Sequence, residues 1–209
     1  MERFRALPPD KQADLKRLAA SKLWVPLPGP QYDAYHHGAD VLGFGGAGGG
    51  SKTDLLLGLA ITAQRHSLIL RREGMQLRAM IDRSREILGT RGRFNEILGV
   101  WRGLPDGRQI EFGGVKDLND IQKYRGRPHD YLGVDEADQF TEYQVRFLQA
   151  WVRTVIPGQR CRTVLCFNPP ATAEGRWLLT FFAPWLDPKH TRPAVPGELR
   201  WYAMVDGKE

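Results

Sequence analysis

Residues 45–53 combine glycines, a lysine and a threonine in an order that suits phosphate binding. They read Gly-Gly-Ala-Gly-Gly-Gly-Ser-Lys-Thr and stand between a predicted strand and a predicted helix, which is the setting that a phosphate loop requires. Glycines bring backbone N–H groups close to phosphate oxygens, and the helix N-terminus adds partial positive charge. In such a loop Lys52 reaches the β- and γ-phosphates of a nucleotide, and the Thr53 hydroxyl ligates Mg²⁺.

One position departs from the usual G-x-x-x-x-G-K-[ST] pattern, because Ser51 stands where the last glycine is expected. If that position needs a positive φ, a serine there costs about 1 kcal/mol or more. The alternative interpretation is a glycine-rich turn that precedes a helix and binds nothing. The predicted phosphate-binding residues are Gly46, Ala47, Gly48, Gly49, Gly50, Ser51, Lys52 and Thr53.

Two adjacent acids, Asp135 and Glu136, directly follow the apolar run of residues 131–134. Such a pair at the end of a buried strand is costly unless it meets a cation or takes part in chemistry. We predict that Asp135 holds Mg²⁺ and that Glu136 polarises an attacking water as general base. Alternatively, Asp135 caps the segment that follows. The glycine-rich loop about 80 residues upstream favours the first interpretation.

From residue 40 onward, short apolar runs alternate with segments of helical periodicity. The predicted strands cover residues 41–44, 67–70, 131–134 and 163–167, and the predicted helices cover residues 55–61 and 75–88. Buried strands that alternate with helices favour a mainly parallel sheet covered on both faces. We therefore predict an α/β fold with a three-layer core.

Turn and cap signals add further elements. Residues 101–112 predict a hairpin with its turn at residues 105–107. Residues 10–20 predict a short helix, whereas the prolines among residues 26–30 favour an extended approach that ends at Gln31.

A capping-box pattern at Thr141 and Gln144 predicts the start of another helix. Apolar residues at helical spacing from Val145 to Val155 predict that this helix continues through residue 155.

The bulk composition fits a globular protein and bears on its partners. The chain has 209 residues, of which 42% are hydrophobic and 26% charged, as suits one large domain. A formal net charge of +6 favours a polyanionic partner, although a basic surface without any nucleic-acid role is equally compatible. The sequence has neither a run of about 18 apolar residues nor a signal-peptide core, so we predict no membrane helix.

The two cysteines, Cys161 and Cys166, lie in one apolar stretch. At this spacing a strand points their side chains to opposite faces, which argues against a disulfide between them. We therefore expect a reduced, intracellular protein.

Taken together, these motifs resemble the large terminase subunits of tailed bacteriophages, ATPases that pump DNA into a preformed capsid. Residues 45–56 resemble the Walker A motif and its helix, residues 123–136 the Walker B region, and residues 166–170 the third, coupling motif. The likeness covers most of the chain. It implies a P-loop NTPase fold that binds ATP and Mg²⁺. We expect residues 1–209 to form one ATPase domain. Within it, residues 1–39 would form an N-terminal helix and the segment that approaches the adenine side of the nucleotide site.

The resemblance implies roles for two polar side chains. Gln31 lies where the family often has an adenine-contacting glutamine, and a glutamine can form paired hydrogen bonds with adenine. A solvated residue before a helix is the alternative. Asn168 ends a predicted strand and would sense the γ-phosphate or its water, unless it forms an Asx turn before Pro169.

The resemblance also implies an arginine that acts on the neighbouring subunit's ATP. Arg125 has the matching position before the Walker B strand, and such a finger is worth ~10³–10⁵ in rate. Arg127, Arg71 and Arg72 compete for this role, and Arg71 or Arg72 could instead lie near the chain's own nucleotide.

The partners that the resemblance implies are double-stranded DNA, further copies of this chain in a ring, a portal protein and a small terminase subunit, in the host bacterial cytoplasm at the procapsid. Members of the family usually carry a C-terminal nuclease domain, for which residues 1–209 leave no room, so we expect no DNA cutting. Two alternatives remain: another DNA-dependent P-loop ATPase of helicase or recombinase type, and a truncated remnant without activity.

Overall fold

The computed structural model describes residues 7–13, 23–46 and 51–201. Its described part contains a single sheet of seven strands. Their bounds are β1 Val41–Gly45, β2 His66–Arg71, β3 Arg93–Asn95, β4 Val100–Arg102, β5 Gln109–Gly114, β6 Tyr131–Val134 and β7 Arg162–Phe167. Across the sheet the strands follow the order β1-β7-β6-β2-β5-β4-β3.

The first five strands in this order run parallel, and β4 and β3 continue the sheet in antiparallel pairing. Every residue of β6 and β7 is buried. These central strands are almost continuously apolar because helices cover both of their faces. The mainly parallel sheet of the prediction is confirmed.

Helices lie on both sides of the sheet. They are α1 Pro30–His36, α2 Lys52–Thr62, α3 Leu77–Leu88, α4 Glu142–Gln149, α5 Trp177–Phe181 and α6 Ala183–Leu186. Buried side chains of α2 and α3 pack with Ile69 and Ile110 on one face, and those of α4 and α5 pack with Leu70 and Val134 on the other. The predicted three-layer α/β core is therefore confirmed.

Helix α2 lies deep in the molecule, and its residues from Leu55 to Ile61 are all buried. It is apolar nearly all round because it has no face in water. Gly58 lies directly under Trp24, and a Cβ at this position would overlap the indole ring. The indole N–H of Trp24 donates to Asp54 at 2.8 Å, which ties the N-terminal segment to the start of α2.

The predicted hairpin is present as β4 and β5, which pair antiparallel through Val100 with Glu111 and Trp101 with Ile110. A short 3₁₀ turn at Pro105–Gly107 joins them, with Asp106 at φ 59°.

The predicted capping box is also present, because Thr141 and Gln144 bond each other's backbone at the start of α4. The extension of this helix through Val155 was wrong. Residues 151–153 leave the helix and bond His129, which lies just before β6, so the chain turns towards the sheet. Val155 is 99% exposed as a result.

The N-terminal region differs from its prediction in one place. Residues 9–13 are helical, and the remainder of the predicted helix lies outside the described residues. Gln31 does not end an extended segment but lies inside α1, because Pro30 occupies the first helical position, where its missing N–H costs nothing.

Both cysteines are free thiols. No helix in the described ranges is long and apolar enough to span a bilayer.

Candidate active site at the carboxyl edge of the sheet

Several of the predicted site residues lie together at the carboxyl ends of neighbouring parallel strands. The glycine-rich loop follows β1, Asp135 and Glu136 follow β6, and Asn168 follows β7. Helix α2 begins at the same edge with Lys52. The parallel strand directions bring these segments together although they are far apart in the sequence.

Ser51 is the N-cap of α2 and adopts the left-handed conformation, with φ 58° and ψ 28°. This position therefore does require a positive φ, and the serine carries the expected strain of about 1 kcal/mol. Its carbonyl accepts the Leu55 N–H at 3.0 Å and so begins the helical hydrogen bonds. Gly46, at the other end of the loop, has φ 146°. Ala47, Gly48, Gly49 and Gly50 lie outside the described residues.

The Lys52 ammonium reaches back across the loop and donates to the Gly46 carbonyl at 2.8 Å. At the same point the Cys166 thiol of β7 donates to the Lys52 carbonyl at 3.6 Å. Burial raises the pKa of this thiol well above its ordinary value, so it remains a neutral donor. The first residue of α2 is thus fixed to the sheet while its side chain bonds the residue that follows β1.

The Thr53 hydroxyl donates to Asp135 Oδ2 at 3.0 Å, across 82 residues of sequence. Asp135 is only 2% exposed. Burial raises the pKa of its carboxyl, and the Arg71 charge and the Thr53 hydroxyl oppose that rise. A hydroxyl and a buried carboxylate side by side are oxygen ligands of the kind that Mg²⁺ takes.

Within the described ranges no group of three or more His, Cys, Asp or Glu side chains could hold a metal ion unaided. Mg²⁺ is commonly held by one or two protein oxygens together with water and substrate phosphates. The Thr53 and Asp135 oxygens, which follow a glycine-rich segment and a buried strand, fit a Mg²⁺ ion that would arrive with a nucleotide.

Glu136 also adopts a left-handed backbone conformation, with φ 54° and ψ 48°. The Asp135 N–H extends the sheet by donating to Leu70 O at 2.9 Å, and the chain then reverses at Glu136. Its Oε2 accepts from Gln139 Nε2 at 2.9 Å, and its Oε1 lies 2.6 Å from Arg71 Nη2.

Arg71 is the residue that sequence reasoning placed least well. It was predicted as a competitor for the finger role or as a residue near the chain's own nucleotide, but not as a partner of the acids. It ends β2 and forms ion pairs with both acids of the site. Arg72 lies beside it and donates to the Gln139 carbonyl at 2.6 Å. In the sequence, both arginines directly follow a predicted strand, which is the pattern that could have pointed to them. The ion pairs of Arg71 with the two acids, however, depend on β2 and β6 being neighbouring strands.

Asn168 lies at the predicted edge. Its backbone N–H donates to Asp138 Oδ1 at 3.1 Å. Its own Oδ1 is buried and has no hydrogen-bond partner among residues 7–13, 23–46 and 51–201. The alternative Asx turn is therefore absent, and the predicted role towards the γ-phosphate stays a prediction.

Gln31 is buried, with 4% exposure, so the alternative of a solvated side chain is wrong. Its Oε1 accepts the Leu27 N–H, and its Nε2 donates to Ser51 O at 2.9 Å. The side chain thus connects α1 to the start of α2. One amide hydrogen and one lone pair remain for a base, and adenine contact stays a prediction.

Arg125 does not join the acid cluster. It follows the 3₁₀ helix Asp120–Tyr124 on the connection between β5 and β6 and is exposed. Its guanidinium makes no hydrogen bond or ion pair with the described part of the chain. The nearby Arg127 is paired with Glu111 of β5 at 2.6 Å.

The mostly parallel sheet, its strand order and the helix α2 that begins after the glycine-rich residues give a P-loop NTPase-like α/β fold. The same fold occurs in the large terminase of bacteriophage HK97, with a TM-score of 0.55 at 14% identity over 76% of this chain and 36% of that one. The chain thus spans about a third of that protein's length.

Two further structures show a weaker likeness. The large terminase of a thermophilic bacteriophage in complex with ADP gives a TM-score of 0.46 at 17% identity over 67% of this chain and 35% of that one. The large terminase ATPase domain of a Thermus phage gives 0.48 at 13% identity over 83% and 74%. No protein-family model matches the sequence, and no curated protein is significantly similar to it.

Proposed function

We propose that this chain is a Mg²⁺-dependent ATPase whose hydrolysis powers the movement of viral double-stranded DNA into a procapsid. The observation that carries the proposal is the Thr53–Asp135 hydrogen bond. It joins the first turn of the helix after a glycine-rich loop to the acid at the end of the buried strand β6, which is the arrangement of a P-loop NTPase.

Each residue of the site then has a role. The loop of residues 46–53 and the Lys52 ammonium bind the phosphates, and Thr53 and Asp135 hold Mg²⁺, which neutralises phosphate charge when bound. Glu136 orients the attacking water and accepts its proton. The unpartnered Asn168 Oδ1 accepts a hydrogen bond from that water.

Three observations support a DNA-packaging motor. The fold likeness to the HK97 large terminase has a TM-score of 0.55. The formal charge of +6 suits a partner with a phosphate backbone. The exposed Arg125 is available to a neighbouring subunit, as a ring requires. The partners would be DNA, further copies of this chain, a portal protein and a small terminase subunit, in the host cytoplasm.

The test is a calorimetric titration of a non-hydrolysable Mg-ATP analogue into wild type and Lys52→Ala. Lys189→Ala is the matched control, because Lys189 is an exposed lysine far along the chain from the loop. We expect binding with a stoichiometry near one in wild type and control, and its loss in Lys52→Ala. A folded wild type that binds no analogue would overturn the proposal.

A further inference from the structure

The Arg71 guanidinium contacts both acids of the site at once. Its Nη2 lies 2.6 Å from Glu136 Oε1, and its Nε lies 3.4 Å from Asp135 Oδ2. The third nitrogen, Nη1, donates to Gln76 O at 2.9 Å. The Arg71 side chain is 20% exposed, so these ion pairs are partly shielded from water.

The strand order explains this contact. β2 is the parallel neighbour of β6, and Leu70 pairs with Val134 in the register. The next residues along each strand, Arg71 and Asp135, therefore emerge side by side at the carboxyl edge. An arginine at the end of β2 therefore lies next to the acids that follow β6.

The Glu136 carboxylate is held on both oxygens in this arrangement. Arg71 bonds Oε1, and Gln139 Nε2 bonds Oε2 at 2.9 Å. The Gln139 backbone N–H also donates to the Glu136 carbonyl at 2.9 Å. A charge-assisted bond of 2.6 Å draws electron density from the carboxylate, which makes it a poorer acceptor for a proton of water.

The Nε–H of Arg71 is less well satisfied. It faces Asp135 at an ion-pair distance but is buried without a hydrogen-bond acceptor among residues 7–13, 23–46 and 51–201. Of the Arg71 contacts, the one between Nε and Asp135 costs the least free energy to replace, because a buried N–H without an acceptor is stabilised most by a new acceptor.

Charge decides where the guanidinium goes when Mg-ATP occupies the site. A divalent cation held by Asp135 would repel the Arg71 guanidinium, and the terminal phosphate would offer it oxygen acceptors instead. An arginine fork fits phosphate oxygens in a bidentate manner, so bonds to the phosphate would replace both the short bond to Glu136 and the long contact with Asp135.

We propose that Arg71 is a positioning residue with two states, an inference that rests on the proposed nucleotide site. Without nucleotide it restrains Glu136. With Mg-ATP it moves to the terminal phosphate and thereby releases Glu136 to the attacking water. The Nη1 bond to Gln76 links the same movement to the 3₁₀ turn Gly74–Gln76 that leads into α3.

The first test compares two nucleotides in Arg71→Gln by calorimetry. We expect about a tenfold weaker binding of a non-hydrolysable Mg-ATP analogue, because only this ligand has the terminal phosphate, and an unchanged affinity for Mg-ADP. Arg146→Gln, which removes an exposed arginine paired with Glu142 on α4, serves as control and leaves both affinities unchanged. An equal loss for both nucleotides, or no loss, would refute the transfer to the terminal phosphate.

The second test needs no nucleotide. Amide hydrogen exchange over residues 136–140 of the ligand-free protein is expected to be faster in Arg71→Gln than in wild type and Arg146→Gln, since the turn loses its anchor. Unchanged exchange would refute the restraint on Glu136. A folded wild type that binds neither nucleotide would instead refute the proposed function and, with it, the movement of Arg71, while exchange would still decide the restraint.

Discussion

At the residue scale, two left-handed residues flank the contact at the centre of the site. Ser51 precedes Lys52 and Thr53 with φ 58°, and Glu136 follows Asp135 with φ 54°. Non-glycine residues in this region persist only where the surrounding structure fixes them, and such positions concentrate at functional sites. Both strained residues lie within two positions of Thr53 and Asp135, which are joined by a hydrogen bond.

Replacement of the first strained residue is expected to stabilise the protein. The Ser51 hydroxyl makes no capping bond to α2, so Ser51→Gly relieves the strain without losing a contact. We expect a gain of about 0.5–1 kcal/mol in the free energy of unfolding, measured in urea. Ser51→Ala keeps the strain and is expected to stay close to wild type. Equal stabilities of the glycine and alanine variants would contradict this account of the loop.

The sequence was informative about the single residues that follow strands. A glycine-rich segment that ends in Lys-Thr and a pair of adjacent acids each allow few interpretations. In the structure, the described residues of the glycine-rich segment lie at the same edge of the sheet as Asp135, Glu136 and Asn168. The double pairing of Arg71 could not be predicted, because it depends on which strands are neighbours. Local sequence patterns do not determine the order of the strands in the sheet.

At the element scale, a second charged cluster ties β5 to the entry of β6 at the opposite, amino edge. Glu111 accepts from Arg127 at 2.6 Å and lies 3.3 Å from His129 Nε2. Burial alone would raise the pKa of the Glu111 carboxyl, but the bonds and charges of His129 and Arg127 outweigh it and hold the pKa below its ordinary value of 4.5.

The lowered pKa gives a pH dependence with a definite sign. A carboxyl whose pKa is lower in the folded than in the unfolded protein stabilises the fold above the unfolded value, and this stabilisation is lost as the pH falls through the folded value. We therefore expect wild type to be more stable than Glu111→Gln at pH 7, with the difference shrinking below about pH 4.5. Urea unfolding of both proteins between pH 3 and 7 measures it, and a difference that does not change with pH would contradict the assignment.

Elements with strong periodicity were predicted well, and the predicted strands end within one residue of the observed ones, but the end of α4 was wrong. The buried strands and α3 follow directly from apolar patterning. α4 ends at Gln149 because residues 151–153 bond His129, a tertiary contact that competes with helical periodicity. Gln31 joins α1 because Pro30 is compatible with a helix start as well as with an extended segment.

At the scale of the whole molecule, the described residues place one arginine of the predicted set away from the chain's own site. Arg125 is exposed on the connection between β5 and β6, while Arg71 occupies the acid cluster. Under the proposed function, a single subunit would have the groups to bind Mg-ATP but would lack the arginine that a neighbour supplies. Binding would need one copy of the chain, and fast hydrolysis would need several.

Turnover per subunit is therefore expected to rise with protein concentration. Arg125→Ala is expected to lower the assembled rate by at least 10²-fold while leaving the affinity for a Mg-ATP analogue unchanged, as for an arginine that acts in trans. A mixture of Arg125→Ala and Lys52→Ala tests whether two subunits share a site. The first variant supplies an intact phosphate-binding lysine, and the second supplies the arginine. A rate per subunit that is independent of concentration and of Arg125 would contradict a shared site.

The measurement that tests the central claim most directly is the Mg²⁺ dependence of nucleotide binding in wild type and Asp135→Asn. The claim is that Thr53 and Asp135 hold the ion that accompanies the phosphates. We expect wild type to bind an ATP analogue at least tenfold more tightly with Mg²⁺ than with a chelator, and Asp135→Asn to bind with the chelator-level affinity in both conditions. The same Mg²⁺ dependence in both proteins, or no binding by folded wild type, would contradict the claim.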